Sequence, residues 1–173
     1  EEVEWDDALV FKPTERAAGY LWYFPRTDTE INAGLGFQMD QPEMQMVPEL
    51  KTAVENRSDL VKPTVKDKLG AALPTRRPYD SAVAPGYIAV GDAAGHVNPT
   101  TGGGIPGAAK SAYWATKRAI SAIADGDVSE SALWEYNREV MTDFGKHFAA
   151  IDLYNIWGTT SSVQELTEMV SSV

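Results

Sequence analysis

Apolar side chains fill every position from Tyr20 to Phe24, so that Tyr20, Trp22 and Phe24 share one face of an extended strand while Leu21 and Tyr23 take the other. Both faces are expected to be covered. A polar turn, Arg26-Thr27-Asp28-Thr29, leads into Ile31, Ala33, Leu35 and Phe37 alternating with Asn32, Gly34 and Gly36, which makes a β-hairpin. Gly34 and Gly36 leave one face of the second strand nearly bare, open to a ligand or another backbone. Ahead of the hairpin, Val3 to Phe11 reads as an edge strand ended by Pro13. Beyond it, Glu43 to Asn56 sets Met46, Leu50, Ala53 and Val54 at helical spacing, and a second short helix is expected over Ser58 to Lys68.

The register then changes. Pro74 to Pro85 reads as an extended loop, and Gly86 to Val90 as a short strand buried on both faces that enters Gly91-Asp92. A loop rich in Gly, Asn, Pro and Thr runs from Gly95 to Gly104, with Pro106 placed where a first helical turn tolerates a missing N–H. The helix from Gly107 to Ala124 carries Ala109, Ala112, Tyr113, Ile120 and Ile123 as its apolar stripe, small residues allow it to pack closely, and Gly126 is its expected stop. Ser129 or Ser131 caps a further helix to about Tyr154, and Ser161 or Ser162 a last one to Val170. The fold class is α+β: an antiparallel sheet with flanking helices over 1–72, a loop, strand and helix over 73–126, and a helical C-terminal tail over 127–173.

Composition narrows the function. With 43% hydrophobic residues in 173, the chain supports a packed core. Twenty-five acidic against fifteen basic residues give a formal charge of -10, which opposes nucleic acid and anionic headgroups as partners. The acid excess fits a halophilic archaeon's high-salt cytoplasm and ordinary soluble proteins alike. The start, Glu1-Glu2-Val3-Glu4-Trp5, lacks a basic leader and a Met, and no run is long enough to span a bilayer, so the expected location is cytoplasmic. There is no Cys, and His96 and His147 have no ligand-spaced partners, so no metal site is expected. Ser81, Ser111 and Ser121 lack the setting of a hydrolase nucleophile.

The chemistry gathers between Gly86 and Gly107. A carboxylate just past a buried strand, Asp92, lies where open α/β sheets bind ligands and accepts hydrogen bonds from sugar or ribityl hydroxyls; a turn or capping aspartate is the plainer alternative. Gly102-Gly103-Gly104 before a helix lets a flat or anionic group approach the backbone and the positive helix end, unless it is only a flexible surface loop. Gly102, Gly104 and Gly107 match a dinucleotide fingerprint by letter, but eleven positions separate Gly91 from Gly102 and no second strand with a terminal acid follows. That reading is rejected. The aromatic face is equally suited to filling a core and to lining a pocket.

Gly91-Asp92-Ala93-Ala94-Gly95 with Pro99 and the glycine triplet resembles the second flavin-binding motif of FAD-dependent oxidoreductases of the hydroxybenzoate-hydroxylase type. Within them, GDAAGHVNPTTGGGI, with GYLWYFP and INAGLGF upstream, is most similar to the geranylgeranyl reductase family over about Trp5 to Ala124. The family commonly has a proline three residues before its aromatic-motif tyrosine, where this chain has Ala17. It also binds the adenosine half of FAD on an early strand-glycine-helix unit, so the resemblance implies the C-terminal portion of a longer protein whose strand, loop and helix over 73–126 return to an FAD-binding domain.

The resemblance implies FAD as cofactor. Asp92 is expected on the ribityl chain with Gly91 and Ala93 shaping its turn, and Pro99, Gly102, Gly103, Gly104 and Ile105 along the isoalloxazine and pyrophosphate. Tyr20, Trp22, Phe24 and Pro25 are expected to line the isoprenoid pocket. The implied substrate is a geranylgeranyl group of archaeal membrane lipids or of the chlorophyll side chain, with an unidentified electron donor and peripheral contact with the inner membrane face. Tyr20 and His96 are conceivable proton donors, and the catalytic residues stay unassigned. The alternatives are a hydroxylase of the same superfamily and a non-catalytic lipid-binding module.

Overall fold

The computed structural model describes residues 10–13, 19–37 and 45–160. The chain forms two compact units, Glu1–Gly70 and Ala71–Val173.

In the first unit β1 (Val10–Pro13), β2 (Gly19–Thr27) and β3 (Glu30–Phe37) form an antiparallel sheet in the order β1-β2-β3. The hairpin follows from the alternation, with Leu21 opposite Leu35, Trp22 opposite Gly34 and Tyr23 opposite Ala33. Its register shifts between Pro25 and Thr27, where a residue without an N–H is tolerated. Helix α1 (Met46–Glu55) packs by β3, and the Tyr23 hydroxyl donates to the Ala53 carbonyl at 3.3 Å. Tyr23 and Leu35 are therefore buried, and Arg57, paired with Asp59, lies 4.2 Å over the Tyr23 ring.

Three expectations change here. Neither strand face is fully covered: Tyr20, Trp22 and Phe24 on one and Leu21 on the other are half-buried, and Tyr23 is buried. The bare stretch of β3 is filled by the Trp22 indole, because a Cβ on Gly34 would fall inside that ring. No helix forms over Ser58 to Lys68: Pro63 disfavours helical geometry at the residue before it, and Lys62 takes a left-handed φ of 48°. The part of the first expected strand before Val10 lies outside the described residues.

The second unit opens with a minimal hairpin, β4 (Val83–Ala84) against β5 (Tyr87–Ile88), turned at Pro85-Gly86 with Gly86 at φ 70°. The expected strand buried on both faces is thus a two-residue antiparallel strand, with Tyr87 and Val90 exposed and Ala89 buried. An apolar run identifies a buried strand only when further strands or helices flank it, and among the described residues β5 pairs with β4 alone. After a 3-10 turn (Gly91–Ala94), helix α2 (Ile105–Asp125) ends as expected on Gly126 in the left-handed conformation.

The packed face of α2 differs from the expected stripe. Tyr113, Ile120 and Ile123 are 57%, 65% and 71% exposed, whereas Gly107, Ser111 and Ala122 are buried. Close approach of the neighbouring backbone selects small residues over large ones at that face. Ser129 caps α3 (Glu130–Leu133) by accepting from the Ala132 N–H at 3.3 Å. The helical path continues through α4 (Glu135–Val140), a π-helical turn (Met141–Gly145) and α5 (Lys146–Thr160). The core joins Ala82, Val83 and Ala89 to Ala94, Ala122, Leu133, Tyr136, Val140 and Phe144. The helix expected to reach Val170 lies outside the described residues, and among those described no helix is long and apolar enough to cross a membrane.

Candidate functional site

The turn carrying Asp92 is built from its neighbours. Gly91 needs its φ of 59°, and its N–H donates to the Ser111 hydroxyl at 3.1 Å. Ser111 in turn donates to the Ala108 carbonyl at 3.1 Å. Two residues upstream, the Tyr136 hydroxyl donates to the Ala89 carbonyl at 2.8 Å. The turn closes where the Gly95 N–H meets the Asp92 carbonyl and the His96 N–H the Gly91 carbonyl, both at 3.0 Å. Asp92 and Ala93 face outward while Ala94 to Val97 are buried.

Next comes a loop that satisfies itself. The Asn98 side-chain oxygen accepts from the Thr100 and Thr101 N–H groups at 2.9 and 3.1 Å, the Gly102 N–H donates to the Asn98 carbonyl at 2.9 Å, and the Gly103 N–H to the Thr101 hydroxyl at 3.2 Å. Its amides are committed internally. At the start of α2 the N–H groups without a partner in the helix and open to a ligand are those of Gly104 and Ile105, because Pro106 has none and Gly107 is buried. The three glycines differ: Gly102 requires its φ of 68°, and a Cβ on Gly104 would lie 2.9 Å from the Asp92 carboxylate oxygen, whereas Gly103 would meet only Thr101. Buried Pro99 is tied to α5 through its carbonyl, which accepts from Asn155 at 3.2 Å, and Ile105 is exposed.

Electrostatics sort the titratable groups nearby. His96 is 1% exposed, its ring 5.3 Å from Phe144 edge-on and 6.5 Å from Tyr136, and burial lowers its pKa to about 4. It is neutral at pH 7 and sealed from substrate, which removes it as a proton donor. Burial pushes the Tyr136 hydroxyl up to about 12, with Ser111 opposing. On the hairpin, Tyr20, Trp22 and Phe24 form a row with ring centroids 5.9 and 6.3 Å apart, and the Trp22 N–H donates to Asn32 at 2.7 Å. Pro25 sits half-buried at the bulge.

Asp92 thus meets Gly104 where the turn of Gly91 and Ala93 comes up to the start of α2 at Ile105, while Pro99, Gly102 and Gly103 belong to the loop joining them. Ser111 stands in the sequence only as a rejected nucleophile, and the ties made by Tyr136, Asn98 and Asn155 are not expected from it. Asn98 had a signal, an Asn ahead of Pro-Thr-Thr-Gly that favours an Asx turn.

Over 89% of its length the chain is 36% identical to a digeranylgeranylglycerophospholipid reductase of Sulfolobus acidocaldarius, covering 35% of that protein. The chain is a homologue of the geranylgeranyl reductase family. A digeranylgeranylglycerophospholipid reductase of Methanopyrus kandleri is 30% identical over 94% of the chain and 46% of its own length. The chain therefore spans between about a third and a half of these curated relatives. Among solved structures, a geranylgeranyl bacteriochlorophyll reductase-like protein of Thermoplasma acidophilum shares the fold, with a TM-score of 0.78 at 24% identity over 94% of this chain and 42% of that one. No family model matches the chain.

Proposed function

We propose that this chain is the part of an FAD-dependent reductase that holds the flavin's ribityl and ring end and lines the isoprenoid pocket, in an enzyme saturating geranylgeranyl groups of archaeal membrane lipids. The observation that carries this reading is the outward Asp92 carboxylate set against Gly104, whose Cβ position would lie 2.9 Å from a carboxylate oxygen, at the N-terminus of a 21-residue helix. A ribityl hydroxyl donates to such a carboxylate, and the Gly104 and Ile105 amides with the helix dipole stabilise negative charge on a reduced ring. The residues present fit a flavin. When bound, the reduced flavin supplies the hydride, and a proton must reach the other alkene carbon.

The chain's own contribution is orientation and apolar contact. Gly91 and Ala93 shape the turn, and Gly102, Gly103, Gly104 and Ile105 would lie along the ring and pyrophosphate, with buried Pro99 holding the loop to α5. Tyr20, Trp22, Phe24 and Pro25 hold the prenyl chain, which has no polar handle and is gripped at about 25 cal/mol per Å² of apolar area buried. The half-burial of the Tyr20-Trp22-Phe24 face supports lining over core packing. Residues 1–72 serve the substrate side, 73–126 return to the FAD domain, and 127–173 form the helical support. The enzyme works in the cytoplasm against the inner membrane face, where its lipid substrate lies.

The test uses the full-length protein: its flavin is reduced chemically without oxygen, a geranylgeranyl glycerol ether lipid is added, and product masses are read. Gains of two hydrogens per step with reoxidation of the flavin are expected. Asp92→Ala should lose FAD, and Trp22→Ala should keep FAD but lose lipid turnover. Bound flavin without mass gain would refute the substrate, and unchanged FAD affinity in Asp92→Ala would refute the site.

A further inference from the structure

The Asp92 turn closes on itself through only two backbone hydrogen bonds, from the Gly95 and His96 N–H groups. Its only regular structure is four residues of 3-10 helix, a geometry of poor hydrogen bonds, and its first residue sits in a left-handed conformation. Its entry at Ala89 and Gly91 is tied by side chains from helices distant in sequence. Ser111, fully buried on α2 twenty residues along, accepts the Gly91 N–H, and among the described residues that N–H has no other acceptor. Tyr136, fully buried on α4, fastens the Ala89 carbonyl at the other end of the same short step. The two hydroxyls bracket the peptide units leading into Asp92.

We propose that Ser111 is a positioning residue for the flavin, supported by Tyr136: its hydroxyl holds the Gly91 amide so that the Asp92 carboxylate stands at Gly104 and the start of α2. The inference rests on the flavin reading of Asp92. Ser111 touches no ligand and acts through the backbone of Gly91. Removing its oxygen leaves a buried N–H without an acceptor, and the turn relaxes by rotating that peptide toward another partner, which moves Asp92. A helix serine that merely packed would lower stability and leave flavin affinity alone.

The experiment compares Ser111→Ala with Thr116→Ala in the full-length protein. Thr116 lies on the same helix, exposed, with its hydroxyl on the Ala112 carbonyl at 2.8 Å, so it controls for the loss of a helix hydroxyl. FAD affinity is measured by titration of the apoprotein well below its unfolding temperature, together with the visible circular dichroism of the bound flavin. Ser111→Ala should weaken FAD about tenfold and alter the flavin dichroism while Thr116→Ala changes neither. Should Ser111→Ala fail to fold, Tyr136→Phe, which keeps the ring and loses only the hydroxyl, takes its place with the same expected direction. Wild-type affinity and dichroism in the deciding variant, with FAD lost in Asp92→Ala, would overturn the role of Ser111 and leave the flavin site standing. Unchanged affinity in Asp92→Ala would overturn both.

Discussion

Acidification from pH 7 to pH 5 should destabilise the second unit through one side chain, His96. In the folded chain burial among Phe144 and Tyr136 lowers its pKa to about 4, against 6.5 for the ordinary group. Between those values the unfolded chain binds a proton that the folded chain refuses, so stability falls as pH falls and the loss is complete below about pH 4. Over pH 7 to 5 the difference is about 2 kcal/mol, from about 1.4 kcal/mol per pH unit in the window where only the unfolded chain is protonated. Most of that window lies above the carboxylate range. Urea unfolding at pH 7 and pH 5 measures the loss, with His96→Gln removing it and exposed His147→Gln leaving it. Proton NMR of the imidazole supplies the direct check. A His96 ring titrating near 6.5, or a pH-dependent loss equal in His96→Gln and wild type, would refute the reasoning.

Three other perturbations follow from the packing. Gly107→Ala places a Cβ well under 3.0 Å from the His96 carbonyl oxygen, and should cost about 3 kcal/mol in urea unfolding, with a change under about 0.5 kcal/mol counting against it. Ser129→Ala removes the acceptor for the Ala132 N–H and should cost about 1 kcal/mol in the same assay. Asp143 is held below the usual carboxylate range by hydrogen bonds from Lys110 and Trp114, so its contribution is present above pH 4 and lost on further acidification; in Asp143→Asn the acid-induced shift of Trp114 fluorescence should vanish.

The hairpin was legible because two-residue periodicity and the glycine positions act locally, and the end of α2 because Gly126 meets a local conformational need. The packed face of α2 was not. Hydrophobic periodicity weights large side chains, so Tyr113, Ile120 and Ile123 drew the stripe, while close contact was made by Gly107, Ser111 and Ala122. The helix expected over Ser58 to Lys68 gave too little weight to Pro63, whose effect reaches back to Lys62. At the candidate site, Asp92 and the glycines stand out in the sequence by type and spacing. Ser111 and Tyr136 could not, since each acts on backbone 20 or 47 residues away and only the fold makes them neighbours.

The self-satisfied loop at Asn98 has a thermodynamic consequence for ligand capture. Its five internal hydrogen bonds fix the segment during folding, so a flavin held as proposed at Gly104 and Ile105 would meet a surface with little left to order. Binding there should carry a small entropic penalty and proceed without a slow conformational phase in rapid mixing. Asn98→Ala would shift that ordering to the moment of association, slowing capture with little change to the contacts made afterwards.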